Sequence, residues 1–142
     1  PMIVRASPSQ LGGSSLLRDG DALTIMGTGP AIHECLKAAE ILQTKGIHCR
    51  VLDMYSIKPI DESVIRKASR ETQGIITVEE DNILGGLGGA VSEIVTRDYP
   101  CRVERFGIND CWIPAGYTQE LRELMEINAQ TIVERAESLL QK

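Results

Sequence analysis

The chain has 142 residues, enough for one domain with its own core, and its 42% hydrophobic and 25% charged content excludes a disordered or fibrous protein. Fifteen basic residues against twenty acidic ones give a net charge of −5, with the two signs interleaved, which excludes nucleic acid and anionic membrane surfaces as partners. No apolar run approaches the roughly 18 residues of a membrane span, and no basic stretch followed by an apolar one opens the sequence, so a cytoplasmic protein is expected.

Residues 1–14 read as a linker, with Ser7-Pro8-Ser9 and Gly12-Gly13-Ser14-Ser15 as its breakers, and composition changes near Ser15, where the domain proper (15–142) begins. Ser15–Arg18 predicts a short edge strand, and Ala22–Met26 a buried one. Gly27-Thr28-Gly29-Pro30 turns into a helix, with Pro30 suited to its first position. In that helix Ile32, Cys35, Leu36, Ala39 and Leu42 form the apolar face, and His33, Glu34, Lys37 and Glu40 the polar one. Gly46 stops it. Ile47–Met54 predicts the next strand, and Asp61 caps a helix that buries Val64, Ile65 and Ala68. Ile75–Val78 predicts a third buried strand, ended by Glu79-Glu80-Asp81. The glycine loop Gly85-Gly86-Leu87-Gly88-Gly89 opens a helix that Tyr99-Pro100 closes. Cys101–Phe106 is a strand, and Gly107–Tyr117 a loop with the single tryptophan, Trp112. Two helices finish the chain, one turning Leu121, Leu124 and Met125 inward, the other Ile132, Val133, Ala136, Leu139 and Leu140. Strands alternating with helices give an α/β fold with a largely parallel sheet covered on both faces.

No group of residues carries a complete active site by type and spacing. Gly27-x-Gly29 with Asp53 ending the next strand imitates a dinucleotide fingerprint, but Ile32 occupies the third glycine position and Pro30 removes an amide donor. The glycine loop at the start of a helix is of a kind that attracts anions. Glu79, Glu80 and Asp81 stand just before it, however, so close packing of the helix is the favoured reading. Carboxylates at the carboxyl end of a parallel strand sit where α/β proteins hold ligands, which makes Glu79 and Glu80 acid–base candidates on position alone. His33 and His48 lack any triad partner. Cys35, Cys49, Cys101 and Cys111 show no metal-site spacing and read as reduced thiols, the first two as core fillers.

Two longer strings carry a resemblance. Asp53-Met54-Tyr55-Ser56-Ile57-Lys58-Pro59-Ile60-Asp61 and Thr77-Val78-Glu79-Glu80-Asp81-Asn82-Ile83-Leu84-Gly85-Gly86-Leu87-Gly88-Gly89-Ala90-Val91 resemble stretches of the transketolase C-terminal domain. The first helix, with His33-Glu34, and Gly107, Asp110, Gly116 and Glu120-Leu121 are similar to it as well. The similarity runs over residues 19–142. Asp81 departs from the pattern, since a histidine is common there.

The resemblance implies a three-layer α/β/α sandwich on a five-stranded, mostly parallel mixed sheet whose first short edge strand is antiparallel. It implies part of a cytoplasmic, homodimeric transferase of the pentose phosphate pathway. That enzyme uses thiamine diphosphate and magnesium to move a two-carbon ketol unit between sugar phosphates. The cofactor would be held by separate diphosphate- and pyrimidine-binding domains, on the same chain or a partner subunit. The diphosphate domain's metal motif is absent here, Asp19-Gly20-Asp21 being the nearest string, and the cofactor-activating glutamate belongs to the pyrimidine domain. No catalytic, cofactor-binding or metal-ligating residue is therefore expected in this chain. Residues 1–14 would be the tail of the pyrimidine-binding domain, where Arg5 would contact a substrate phosphate. Asp53, Glu79, Glu80, Asp81, Gly85, Gly86 and Gly88 would form an interface or effector loop. Similar domains in deoxyxylulose-phosphate synthase and in the β subunit of 2-oxo acid dehydrogenases are the alternative reading, and a regulatory ligand-binding module is a third.

Overall fold

The structure is a computed structural model and describes residues 10–141. Arg5 and the rest of residues 1–9 lie outside the described residues. Five strands form one sheet in the order β1-β3-β2-β4-β5. They are β1 (Ser15–Arg18), β2 (Leu23–Gly27), β3 (Cys49–Asp53), β4 (Ile75–Asn82) and β5 (Val103–Ile108). β1 runs antiparallel to β3, and every other pair is parallel. The helices are α1 (Ile32–Thr44), entered through a short 3-10 turn at Gly29–Ala31, α2 (Glu62–Glu71), α3 (Leu87–Asp98), α4 (Thr118–Leu124) and α5 (Ala129–Leu140).

The side-chain alternation of the strands builds two cores, one on each face of the sheet. Leu23, Ile25, Val51, Ile76 and Val78 point one way and pack against α1 and α5. Met26, Leu52 and Ile75 point the other way and pack against α2 and α3. Because both faces are covered, the central strand β2 is buried at every position, which is why Leu23–Met26 reads as an apolar run interrupted only by Thr24, itself buried. The three-layer sandwich and the mixed sheet with an antiparallel first strand agree with the expectation.

Three local expectations need correction. β4 does not stop at Val78 but continues to Asn82, across a register shift in which Val78 faces Phe106 and Asn82 faces Ile108. Four steps of β4 thus stand opposite two of β5, so the regular ladder breaks where the acidic run begins although the strand goes on. Glu34 is not on the solvent face of α1: it is buried, and its carboxylate accepts a 2.9 Å hydrogen bond from the Ala129 N–H at the start of α5. Leu124 is 60% exposed, whereas Leu121 and Met125 are half-buried and line a pocket with Ile108 and Ile127.

The segment before β1 is tied to the loop after β3. The Gly12 N–H donates to Ser56 Oγ at 3.0 Å and Ser14 Oγ to Asp61 at 2.9 Å. Cys35 and Cys49 are core residues, and all four cysteines are free. Burial pushes the Cys49 thiol up to about 11 and raises Cys35 further, which suppresses thiolate chemistry at both. No helix among the described residues is long and apolar enough to cross a membrane.

Candidate functional site

The carboxyl end of β4 carries the acidic run, and its first member is enclosed. Glu79 has no exposed surface. Its Oε2 accepts from the Leu87 N–H at 2.7 Å and its Oε1 from the Gly88 N–H at 2.9 Å. A carboxylate from the sheet therefore caps the first turn of α3, the end of the helix where the peptide dipoles favour negative charge. The surrounding glycines make room for it. A Cβ on Gly86 would stand 1.9 Å from Glu79 Oε2, and one on Gly107 would stand 3.2 Å from Glu79 Cγ. A Cβ on Gly88 would meet Arg105 Cδ at 2.8 Å and Thr77 Oγ1 at 2.9 Å. The anion at this helix start is the chain's own side chain, and Glu79 does not stand free in the crevice for acid–base work.

The other acidic candidates take separate positions. Glu80 turns towards α4 and forms a partly buried ion pair with Arg122. Together with Ile108, Leu121, Met125 and Ile127 this pair lines a pocket of about 160 Å³. Asp81 is exposed. Asn82 Nδ2 donates to Asp110 at 2.8 Å, and Asn82 Oδ1 accepts from the Leu84 N–H at 2.8 Å, which ties the 83–86 loop to the end of β5. Gly85 and Gly86 sit on that loop, beside a cleft shared with Lys58, Pro59 and Arg97.

Asp53 ends β3 opposite Gly27 of β2, on the Cys35 side of the sheet, and burial raises its carboxyl above the ordinary range. Glu79, on β4, lies two strands from Asp53 with β2 between them and faces α3, so the fold does not bring Asp53 and Glu79 together. Gly27 itself provides the close strand–helix approach for which the sequence lacks a third glycine. A Cβ there would stand 2.8 Å from Cys35 Sγ and 2.9 Å from Ile32 Cδ1.

Sequence reasoning named Glu34 and Gly107 without their structural roles and missed Arg122. Glu34 was hidden because helical periodicity assigns it to the polar face. Gly107 is the backbone neighbour of Glu79 across the sheet, and Arg122 meets Glu80 only through the return of the chain after β5.

The residues at this end of the sheet do not fit a magnesium diphosphate. The amides suited to a phosphate are occupied by Glu79, and Glu80 is neutralised by Arg122. Among the described residues no cluster of three or more His, Cys, Asp or Glu could hold a metal ion.

A mixed, mostly parallel five-stranded sheet between two helical layers, with a carboxylate-capped glycine helix at the strand ends, defines a three-layer α/β/α domain. The family model "Transketolase, C-terminal domain" matches residues 12–132, and this chain belongs to that family. Over 132 residues it is 36% identical to the 6-deoxy-6-sulfo-D-fructose transketolase subunit SqwH of Clostridium sp. (strain MSTE9), covering 93% of this chain and 41% of that protein. It is 38% identical over 127 residues to the putative transketolase C-terminal section of Methanocaldococcus jannaschii, covering 89% of this chain and 39% of that one. A 1-deoxy-D-xylulose-5-phosphate synthase of Heliobacterium modesticaldum is 35% identical over 91% of this chain and 20% of its own length. Among solved structures, one described as a split gene transketolase, inactive beta4 tetramer, superimposes with a TM-score of 0.91 at 32% identity, over 99% of this chain and 46% of that one. The chain thus spans about two fifths of the curated relatives first named here.

Proposed function

We propose that this chain is the C-terminal part of a thiamine-diphosphate-dependent transketolase that moves a two-carbon ketol unit between sugar phosphates, and that it acts as a docking domain and not as a catalytic one. The domain would begin at Ser15, and the preceding residues would lead in from a pyrimidine-binding domain, with Arg5 near a substrate phosphate. The diphosphate- and pyrimidine-binding domains, on the same polypeptide or a companion subunit, hold the cofactor and magnesium, and the complete enzyme is a cytoplasmic homodimer. The Glu79 cap is the observation that carries the non-catalytic part of this reading. The helix start best built for a phosphate is filled from within, so the loop 79–88 supplies shape and rigidity at the contact edge instead of chemistry.

The test is reconstitution. The purified chain, the polypeptide bearing the other two domains, thiamine diphosphate and magnesium are assayed for transfer from a ketose phosphate to an aldose phosphate. Transfer is expected only from the mixture, and transfer by this chain alone refutes the reading. Deoxyxylulose-phosphate synthase is the second reading, supported by the 35% identical relative from Heliobacterium modesticaldum. Running the same mixture with pyruvate and glyceraldehyde 3-phosphate and following carbon dioxide release separates the two.

A further inference from the structure

The segment from Asn109 to Glu126, between β5 and α5, carries large apolar side chains that nothing in the fold covers. Trp112 is 99% exposed, Tyr117 81%, Leu124 60% and Ile113 40%. Residues 109–120 are exposed without exception. Cys111, Trp112, Pro114, Leu124 and Met125 border one open cleft, so part of this apolar surface is contiguous. Water-facing apolar surface of this kind marks a contact with another macromolecule, and Trp and Tyr are the residues that concentrate binding energy in such contacts.

The charges around it decide what the partner is. Asp110, Glu120, Glu123 and Glu126 stand on the same segment, and among the described residues none forms an ion pair with a cation. Arg122, the single base of the segment, is taken by Glu80. A second copy docked face to face would set this acidic rim against itself, because a two-fold contact brings like surface to like. An anionic lipid surface is repelled for the same reason. We infer that segment 109–126 docks this chain onto a companion polypeptide whose contact surface is an apolar recess rimmed by lysine and arginine. The inference rests on the proposed reading of the chain as one part of a larger enzyme, and assigns that reading its surface.

Because Trp112 is the single tryptophan, labelling with fluorotryptophan places one fluorine probe at the centre of the patch. The labelled chain is titrated with the polypeptide carrying the diphosphate- and pyrimidine-binding domains, and affinity is measured by calorimetry at low and high salt. The Trp112 resonance is expected to shift on binding and to lose its sensitivity to solvent. Trp112→Ala and Leu124→Ser are each expected to weaken binding at least about tenfold. The double variant Glu123→Lys/Glu126→Lys is expected to weaken it too and to flatten its salt dependence, all variants melting as the unsubstituted chain does. Binding that leaves the resonance unmoved and the variants unaffected overturns the inference while sparing the proposed function. Absence of binding by the unsubstituted chain overturns both. A concentration-dependent shift of the resonance in the chain alone, with a dimer in sedimentation, makes the occupant a second copy and also overturns the inference.

Discussion

Glu79 illustrates how one side chain can be both the most acidic-looking feature of a site and its least reactive. Its two oxygens satisfy the amides of Leu87 and Gly88, and Gly86 lacks the Cβ that would collide with it. Glu79→Gln keeps one acceptor oxygen and loses the charge at the helix start, and is expected to cost about 1–2 kcal/mol. Glu79→Ala strands two buried amides and leaves a void, for a loss of about 3 kcal/mol or more. The neighbouring glycines give an internal control. Gly86→Ala should lose about 2–3 kcal/mol through overpacking. Gly89→Ala, whose Cβ would meet nothing within 4 Å, should be neutral or gain up to about 1 kcal/mol as a better helix former. Urea unfolding of the four variants checks this order, and equal effects of the two glycine substitutions would refute the packing account.

Among the elements, α5 shows how helix ends are tied across the fold. Asn128 accepts from the Thr131 N–H at 3.0 Å within its own first turn, while Glu34 reaches from α1 to the Ala129 N–H at 2.9 Å. Behind these caps Ile132, Val133, Ala136 and Leu139 close the core over α1. Ile132→Ala removes a fully buried side chain from this seam and is expected to cost about 2–4 kcal/mol in urea unfolding. α4 behaves differently, since it has seven residues, none buried, and meets the rest of the domain through the Arg122–Glu80 pair and the half-buried Leu121, with Met125 just after it packed on the core. Its Leu124 faces water, so Leu124→Ala should leave the unfolding midpoint nearly unchanged. Comparable losses at Ile132 and Leu124 would contradict the burial contrast.

Over the whole molecule, most perturbed carboxylates are displaced in the same direction. Burial opposes ionisation of Glu34, but the hydrogen bonds from Lys37 and the Ala129 amide outweigh it and hold the carboxyl below its ordinary 4.5. Burial likewise opposes ionisation of Asp61, and hydrogen bonds from Ser63, Ser14 and the Val64 amide outweigh it. Asp98, between Arg97 and Arg66, lies well below the carboxylate range. Groups lowered in the folded state bind protons less readily than in the unfolded chain. Their stabilisation is complete above the unfolded values and is lost as pH falls through the folded ones. Stability is therefore expected to be flat near neutrality and to fall below about pH 4, as followed by urea midpoints. Asp53 has the opposite sign, because burial raises it. Its contribution is lost as pH rises above 3.8 through the folded value, so Asp53→Asn should stabilise at pH 7 and change little at pH 3. An equal gain at both pH values would show that ionisation of Asp53 is not the cause.

The sequence by itself determined the layers. Largely apolar runs such as Leu23–Met26 and Ile75–Val78, each interrupted by a single threonine, belong in strands covered on both faces, and helical periodicity at Cys35, Ala39 and Leu42 or at Ile132, Val133 and Ala136 assigns the covering helices. Its two long strings also pointed to the family, and the resemblance implied the antiparallel direction of the first strand, for which composition alone suggested only a short edge strand. The tertiary structure decided which acids are free and which are spent. Glu79, Glu80 and Asp81 are consecutive and alike in type, yet one is sealed under a helix, one is paired with Arg122 and one meets water. Glu34 likewise looked solvated until α5 came down on it. The physical reason is range: strand and helix periods are set by neighbours a few residues apart, whereas the charge state and exposure of a carboxylate are set by groups that only the closed fold brings within hydrogen-bond distance.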